Sequence, residues 1–277
     1  MKERFFFGIP LIACAVAGDW PVVEHLLGLT LRSILAQEDD DVRVLLAAHD
    51  VPEPWRAVEG DPRFTRLPAD WVPEPPTAAN DDGGRKKWQI KQRVRAEGGG
   101  LLMFLDADDW VARDLVRCAR AAMGAGTVGA IVPAGYAIDY RSGRTLSFPV
   151  GGGFDAAFHQ LCGSSTIARI VPGAQAPLHA DPHAALGSHH EWPEAAARQG
   201  VTLARLETVG AYLIGTGTNH SERESPVASW RREITAEVRR RGEPLSPALA
   251  RTFGQEEGVL PPAAAHPARQ LLSDPSS

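Results

Sequence analysis

Leu101-Leu102-Met103-Phe104-Leu105-Asp106-Ala107-Asp108-Asp109-Trp110 is the stretch from which the rest of the chain is read. Five apolar residues in a row are too few for a helix and suit a buried central strand of a parallel sheet. Three carboxylates follow at once: Asp106, Asp108 and Asp109. Ligands of open α/β sheets bind outside the carboxyl ends of the strands, so these acids stand where chemistry usually occurs. Side chains alternate along an extended chain, which predicts that Asp106 and Asp108 project the same way. Two hard oxygen donors converging there suit Mg²⁺ or Mn²⁺, ions that also take phosphate oxygens as ligands. Capping of a following helix, expected from Val111 to about Met123, accounts for one Asp at the junction but not for three.

Working outward toward the N-terminus, Phe5 to Val16 reads as a first strand, with Gly8 and Pro10 marking an irregularity or an early bend. Asp19 can cap a helix that tolerates Pro21 in its first turn. Val23, Leu26, Leu27, Thr30, Leu31, Ile34 and Leu35 give that helix one apolar face. Val42 to Ala48 is the second strand, ending at His49-Asp50, and the β-α-β opening predicts a parallel, right-handed crossover. A short strand is expected at Phe64 to Leu67, and Asn80 to Gly84 reads as a loop. Arg85-Lys86-Lys87 then opens a helix with positive charge near its first turn, which opposes the helix dipole. A phosphate group at that end would offset the cost; the plainer reading is a solvated basic face.

On the other side, Val128 to Val132 reads as a strand, and Arg141-Ser142-Gly143 turns a hairpin between Tyr136 to Asp139 and Thr145 to Phe148. Gly151-Gly152-Gly153 lacks the Lys-Ser/Thr of a P-loop and the spacing of a dinucleotide fingerprint, so it reads as a hinge. Cys162 to Ile170 is a strand, Pro172 to Gly187 a loop, and Ser188-His189-His190-Glu191-Trp192 opens a helix ending near Gly200. Strands at Val201 to Leu206 and Ala211 to Ile214 precede a polar loop that contains His220. From Pro226 the composition shifts. Trp230, Ile234 and Val238 form a narrow apolar stripe on an Arg-rich helix, which suits docking on its own domain; a partner or an anionic membrane surface is the alternative. The chain therefore divides into residues 1–225 and a segment at 226–277 comprising an amphipathic helix and a loosely ordered tail.

The 277 residues carry a formal charge of −5, which excludes a general nucleic-acid binder. Three cysteines without paired spacing point to reduced thiols and a cytoplasmic protein. The apolar N-terminal run is interrupted by Pro10, unlike a signal peptide, and no stretch approaches the roughly 20 apolar residues of a spanning helix.

Phe104-Leu105-Asp106-Ala107-Asp108-Asp109-Trp110 resembles the strand-borne DxD motif of family 2-type glycosyltransferases. The order of elements around it, over roughly residues 4 to 221, is similar too. The resemblance implies an α/β GT-A fold, Rossmann-like, with a mixed, mostly parallel central sheet flanked by helices. It implies a metal-dependent, inverting transfer of a sugar from a nucleotide-diphosphate donor to an acceptor hydroxyl. Asp106 and Asp108 would hold Mn²⁺ or Mg²⁺ against the donor diphosphate. Asp50 would contact the nucleoside, the first-strand end around Ala15 would line the base or ribose, and Arg85, Lys86 or Lys87 would meet the diphosphate. Glu191 or His190 would be the catalytic base, and His220 resembles a further metal ligand. Two other readings stay open from the residues: a phosphohydrolase with Asp106 as nucleophile, and a non-catalytic nucleotide-sugar-binding module.

Overall fold

The computed structural model describes residues 2–75, 81–149, 156–218, 228–256 and 258–260. Phe5–Pro10 forms β1, buried along all but its last residue. It is followed by α1 (Trp20–Leu35), β2 (Val42–Ala48), α2 (Glu53–Arg56), β3 (Phe64–Pro68), α3 (Asp81–Ala96) and β4 (Gly100–Phe104). The apolar runs are uninterrupted because these strands are covered on both faces. Phe5, Phe7, Leu101, Met103, Val44 and Leu46 pack on one side with α1, while Phe6, Leu102, Phe104 and Leu45 pack on the other with Ile90 and Val94 of α3. Gly8 marks no bend in β1: a Cβ there would lie 2.7 Å from Ile90, so the glycine lets α3 approach the sheet. The first strand is shorter than the sequence predicts, and Cys14–Val16 forms a 3-10 turn instead. Asp19 caps α1, accepting from the Val22 amide at 3.2 Å, as expected.

The middle of the chain continues through β5 (Trp110–Val111), α4 (Leu115–Ala122), β6 (Gly129–Ile131), β7 (Ala134–Asp139), β8 (Arg144–Phe148), α5 (Phe158–Leu161) and β9 (Thr166–Ile170). Then come α6 (Pro177–Ala180), α7 (Pro182–Leu186), α8 (Trp192–Arg198), β10 (Ala204–Arg205) and β11 (Val209–Ile214). The last elements are α9 (Ala228–Arg241), β12 (Glu243–Pro244) and α10 (Pro247–Thr252).

The central sheet has the order β10-β6-β9-β4-β1-β2-β3 and is mostly parallel, with only β9 running against its neighbours. Its helix-flanked, mixed α/β architecture is the one expected. Counting outward from β1, the chain builds β2 and β3 on one side and then returns to place β4 on the other. The β1/β4 boundary is therefore the topological switch point, where open α/β sheets open a crevice for ligands.

Several local expectations are corrected. The predicted hairpin forms, but it joins a second, five-stranded sheet ordered β12-β8-β7-β11-β5. Val111 lies not in a helix but in β5, which pairs antiparallel with β11, and the helix starts four residues later at Leu115. The segment read as a loop from Pro172 contains two short helices, each opened by a proline. Ile234 and Val238 bury the apolar stripe of α9 in the chain's own core, and Phe253, just after α10, is fully buried against Trp110. The Gly151 hinge, Asn80 and His220 lie outside the described residues. Among those residues no helix is long and apolar enough to cross a membrane.

Candidate active site

Five backbone and side-chain contacts hold the acidic run in place after β4. The Asp109 amide donates to the Asp106 carbonyl at 3.1 Å, closing a turn. The Asp106 amide donates to Ser164 Oγ at 2.8 Å, and Thr30 of α1 donates through Oγ1 to the Ala107 carbonyl at 2.9 Å. Asp109 points into the protein, where its carboxylate accepts from Cys162 Sγ at 3.2 Å and from the Leu213 amide of β11 at 3.3 Å. Burial, with the neighbouring Asp106 charge adding to it, pushes the Asp109 carboxyl up to about 7. The three acids thus divide their work. Asp109 ties the turn to the second sheet, while Asp106 and Asp108 line an open cleft.

That cleft has a volume of about 350 Å³ and lies over the switch point. Leu11 and Ile12, just past β1, face Asp106 and Asp108, just past β4, with Lys87 on the α3 side. The two acids lie in a turn rather than on the extended strand foreseen from alternation, yet they share the cleft all the same. Among the described residues no group of three or more His, Cys, Asp or Glu side chains is gathered closely enough to hold a metal ion alone. Two carboxylates do fit Mg²⁺ or Mn²⁺ when substrate phosphate oxygens and water fill the other positions, which is how Mg²⁺ is commonly held.

The other expected residues are placed as follows. Asp50 accepts from the Cys14 amide at 2.8 Å, so it clamps the turn after β1 that includes Ala15; neither Asp50 nor Ala15 lines the cleft. Arg85 does not line the cleft, but pairs with Glu74, which does, 3.5 Å away. The expectation that Arg85, Lys86 and Lys87 oppose the helix dipole is corrected, because α3 begins at Asp81 and carries Asp82 in its first turn. Lys86 is 1% exposed and donates to Asp82 and to the Leu11 carbonyl, at 2.5 and 2.6 Å. Burial holds its ammonium below the usual lysine range, with Asp82 working against the shift. Lys87 faces the cleft with its ammonium 5.5 Å from the Phe104 ring centre.

Glu191 and His190 are exposed and do not line the cleft. The Glu191 carboxylate accepts from the Ser188 amide at 3.2 Å in a capping box, and His190 Nδ1 lies 2.9 Å from Ser188 Oγ. It is His189 that reaches the cleft. Its Nδ1 sits 2.6 Å from the His159 carbonyl, an acceptor only, so Nδ1 carries the hydrogen and Nε2 keeps its lone pair. Burial above all, helped by the charge of Arg231, lowers the His189 pKa to about 4, so the ring is neutral near pH 7.

Arg231 was not foreseen. It lines the cleft, is only 8% exposed, and stacks its guanidinium 5.0 Å from the Tyr212 ring centre. Its Nε and Nη1 meet no hydrogen-bond acceptor among the described residues. The signal in the sequence was its spacing: Arg231 stands three residues before Ile234 and seven before Val238, on the buried stripe of α9. The opposite face of α9 borders a wider groove of about 740 Å³ with Arg141, Arg232, Arg239 and Arg240. Those arginines are exposed, and Arg239 and Arg240 pair with Asp139 and Glu237, which is the behaviour of a solvated face.

No protein-family profile and no curated protein matches the chain. Among solved structures, 4-diphosphocytidyl-2C-methyl-D-erythritol synthase is similar over 85% of this chain and 99% of its own, at 11% identity and a TM-score of 0.37. A Desulfovibrio desulfuricans G20 protein assigned as a nucleotide-diphospho-sugar transferase covers 87% and 98%, at 15% identity and a TM-score of 0.39. CMP:2-keto-3-deoxy-manno-octonic acid synthetase covers 85% and 98%, at 10% identity and a TM-score of 0.33. Such distant likenesses transfer no activity, so function is read from the cleft's own chemistry.

Proposed function

We propose that this chain is a glycosyltransferase of the GT-A type that moves a sugar from a nucleotide-diphosphate donor to an acceptor hydroxyl. The observation that carries the reading is the convergence of Asp106, Asp108 and Lys87 on one cleft at the β1/β4 switch point. In this reading Asp106 and Asp108 hold Mn²⁺ or Mg²⁺, which when bound neutralises charge on the departing nucleoside diphosphate. Lys87 adds a cation on the same wall. Asp50 acts at one remove, by fixing the backbone after β1 against which the nucleoside lies. For an inverting transfer, the acceptor hydroxyl must give up a proton as it attacks. We assign the contact with that hydroxyl to the His189–Glu191 turn. His189 already lines the cleft with Nε2 unprotonated, and Glu191 or His190 would act only if the turn rotates on ligand binding.

Calorimetric titration of UDP and of GDP, each with and without Mn²⁺, tests the reading on the wild type and on Asp108→Ala. One nucleotide should bind with Mn²⁺ and lose at least tenfold in affinity in the variant, roughly the 1.4 kcal/mol that one charge-assisted contact supplies. Absence of binding by both nucleotides under every metal condition would sink the transferase reading.

A further inference from the structure

A guanidinium never gives up its proton, so the positive charge of Arg231 is permanent wherever the chain puts it. Here it is nine-tenths buried. Ring faces of Tyr212 and Trp230, at 5.0 and 5.1 Å, screen it in part, yet among the described residues Nε and Nη1 have no acceptor. An uncompensated buried charge is strongly destabilising, because its lost hydration is not replaced. Deeply placed arginines are elsewhere paired; Arg120, whose side chain is 10% exposed, lies 2.5 Å from an Asp39 carboxylate oxygen. Among the described residues Arg231 has no such carboxylate, and it lines the cleft instead. A fork of donors held rigid by aromatic stacking is a ready receptor for a planar or tetrahedral oxyanion.

The position of Arg231 decides which ligand would carry that oxyanion. The diphosphate side of the cleft is built from the ends of β1 and β4 and from Lys87. Arg231 lines the cleft with Tyr212 of β11, Leu161 and His189, and its charge acts on His189, the residue assigned to the acceptor hydroxyl. We propose that the acceptor is itself anionic, carrying a phosphate or carboxylate that Arg231 grips while its hydroxyl faces His189. This inference rests on the transferase reading for the word acceptor; the oxyanion site itself does not.

Titration of inorganic phosphate, and separately of acetate, tests the site in the ligand-free protein and again in protein saturated with the Mn²⁺–nucleotide complex. At least one anion should bind under both conditions. Arg231→Met should weaken that binding roughly 10- to 100-fold, as expected for loss of a charge-assisted contact. It should leave nucleotide affinity within about threefold, a change of less than 1 kcal/mol. Arg231→Met should also melt at a higher temperature than the wild type without ligand, because an unpaired buried charge is replaced by an apolar chain of similar length. Arg231→Lys provides a second variant that keeps charge but loses the fork. Anion binding untouched by both variants would overturn the proposal. So would a parallel loss of nucleotide affinity, which would put Arg231 on the donor diphosphate. Should neither UDP nor GDP bind the wild type, the transferase reading fails while the phosphate and acetate titrations of ligand-free protein still decide whether the site exists.

Discussion

Lys86 and Lys87 both line the cleft, yet the Lys86 ammonium is held by Asp82 and the Leu11 carbonyl while the Lys87 ammonium lies 5.5 Å from the Phe104 ring centre. Lys86→Ala should therefore cost roughly 3–5 kcal/mol of stability, the usual result of stripping one partner from a buried ion pair. Lys87→Ala should change stability by less than about 0.5 kcal/mol. It should weaken Mn²⁺–nucleotide binding about tenfold, the loss of one charge-assisted contact. Urea unfolding and calorimetry on both variants check the contrast; equal behaviour of the two lysines in either assay refutes it. The sequence alone left Arg85, Lys86 and Lys87 interchangeable, because a basic run says nothing about which member faces the sheet. The difference was still legible in spacing, since Lys86 stands four and eight residues before the buried Ile90 and Val94. Arg231 was legible in the same way. The Asp109 role was not, because its partners Cys162 and Leu213 are 53 and 104 residues away.

At the scale of elements, the acidic turn depends on a wedge in the second sheet. Gly135 of β7 pairs in register with Gly210 of β11, and a Cβ on either glycine would collide with the Phe158 ring. The paired glycines make a slot that seats Phe158, the first residue of α5. The chain then runs directly from α5 to Cys162 and Ser164, which hold Asp109 and Asp106. Gly210→Ala should cost about 1–3 kcal/mol by overpacking. Because the displaced segment carries the acidic turn, it should also weaken Mn²⁺–nucleotide binding. A variant as stable as the wild type would refute the wedge, and one that is less stable but binds normally would separate the wedge from the site. The long apolar strands of the central sheet were readable because burial on both faces leaves a continuous apolar signature. The two-residue strands β5 and β12 were not, because nothing in so short a run distinguishes a strand from a turn, and only distant pairing creates it; β10 was anticipated, though within a longer run from Val201 to Leu206.

For the molecule as a whole, acid stability is set where the layers meet. His183 of α7 is wedged between Phe104 of the central sheet and Trp192 of α8, with ring centres 4.6 and 5.3 Å away. Neither of its ring nitrogens meets a partner among the described residues, and burial drives its pKa down to about 3. An unfolded histidine takes up a proton near pH 6.5. Between pH 6.5 and about 3 the unfolded chain therefore binds a proton that native His183 refuses, and stability falls as the pH falls. His189, lowered to about 4, acts in the same direction over a narrower window. Asp109, raised to about 7, acts against both, since the native state holds its proton at pH values where the unfolded carboxyl is ionised. The His183 contribution can be isolated by difference. His183→Leu keeps an apolar group between the two rings and removes one titrating site. The urea midpoints of wild type and variant should diverge as the pH is lowered from 7 to 4.5. The added advantage of the variant should approach at most about 1.4 kcal/mol for each pH unit below 6.5. A constant difference across that range would mean that native His183 protonates as readily as an exposed histidine, and that the joint between the sheet and α8 admits water.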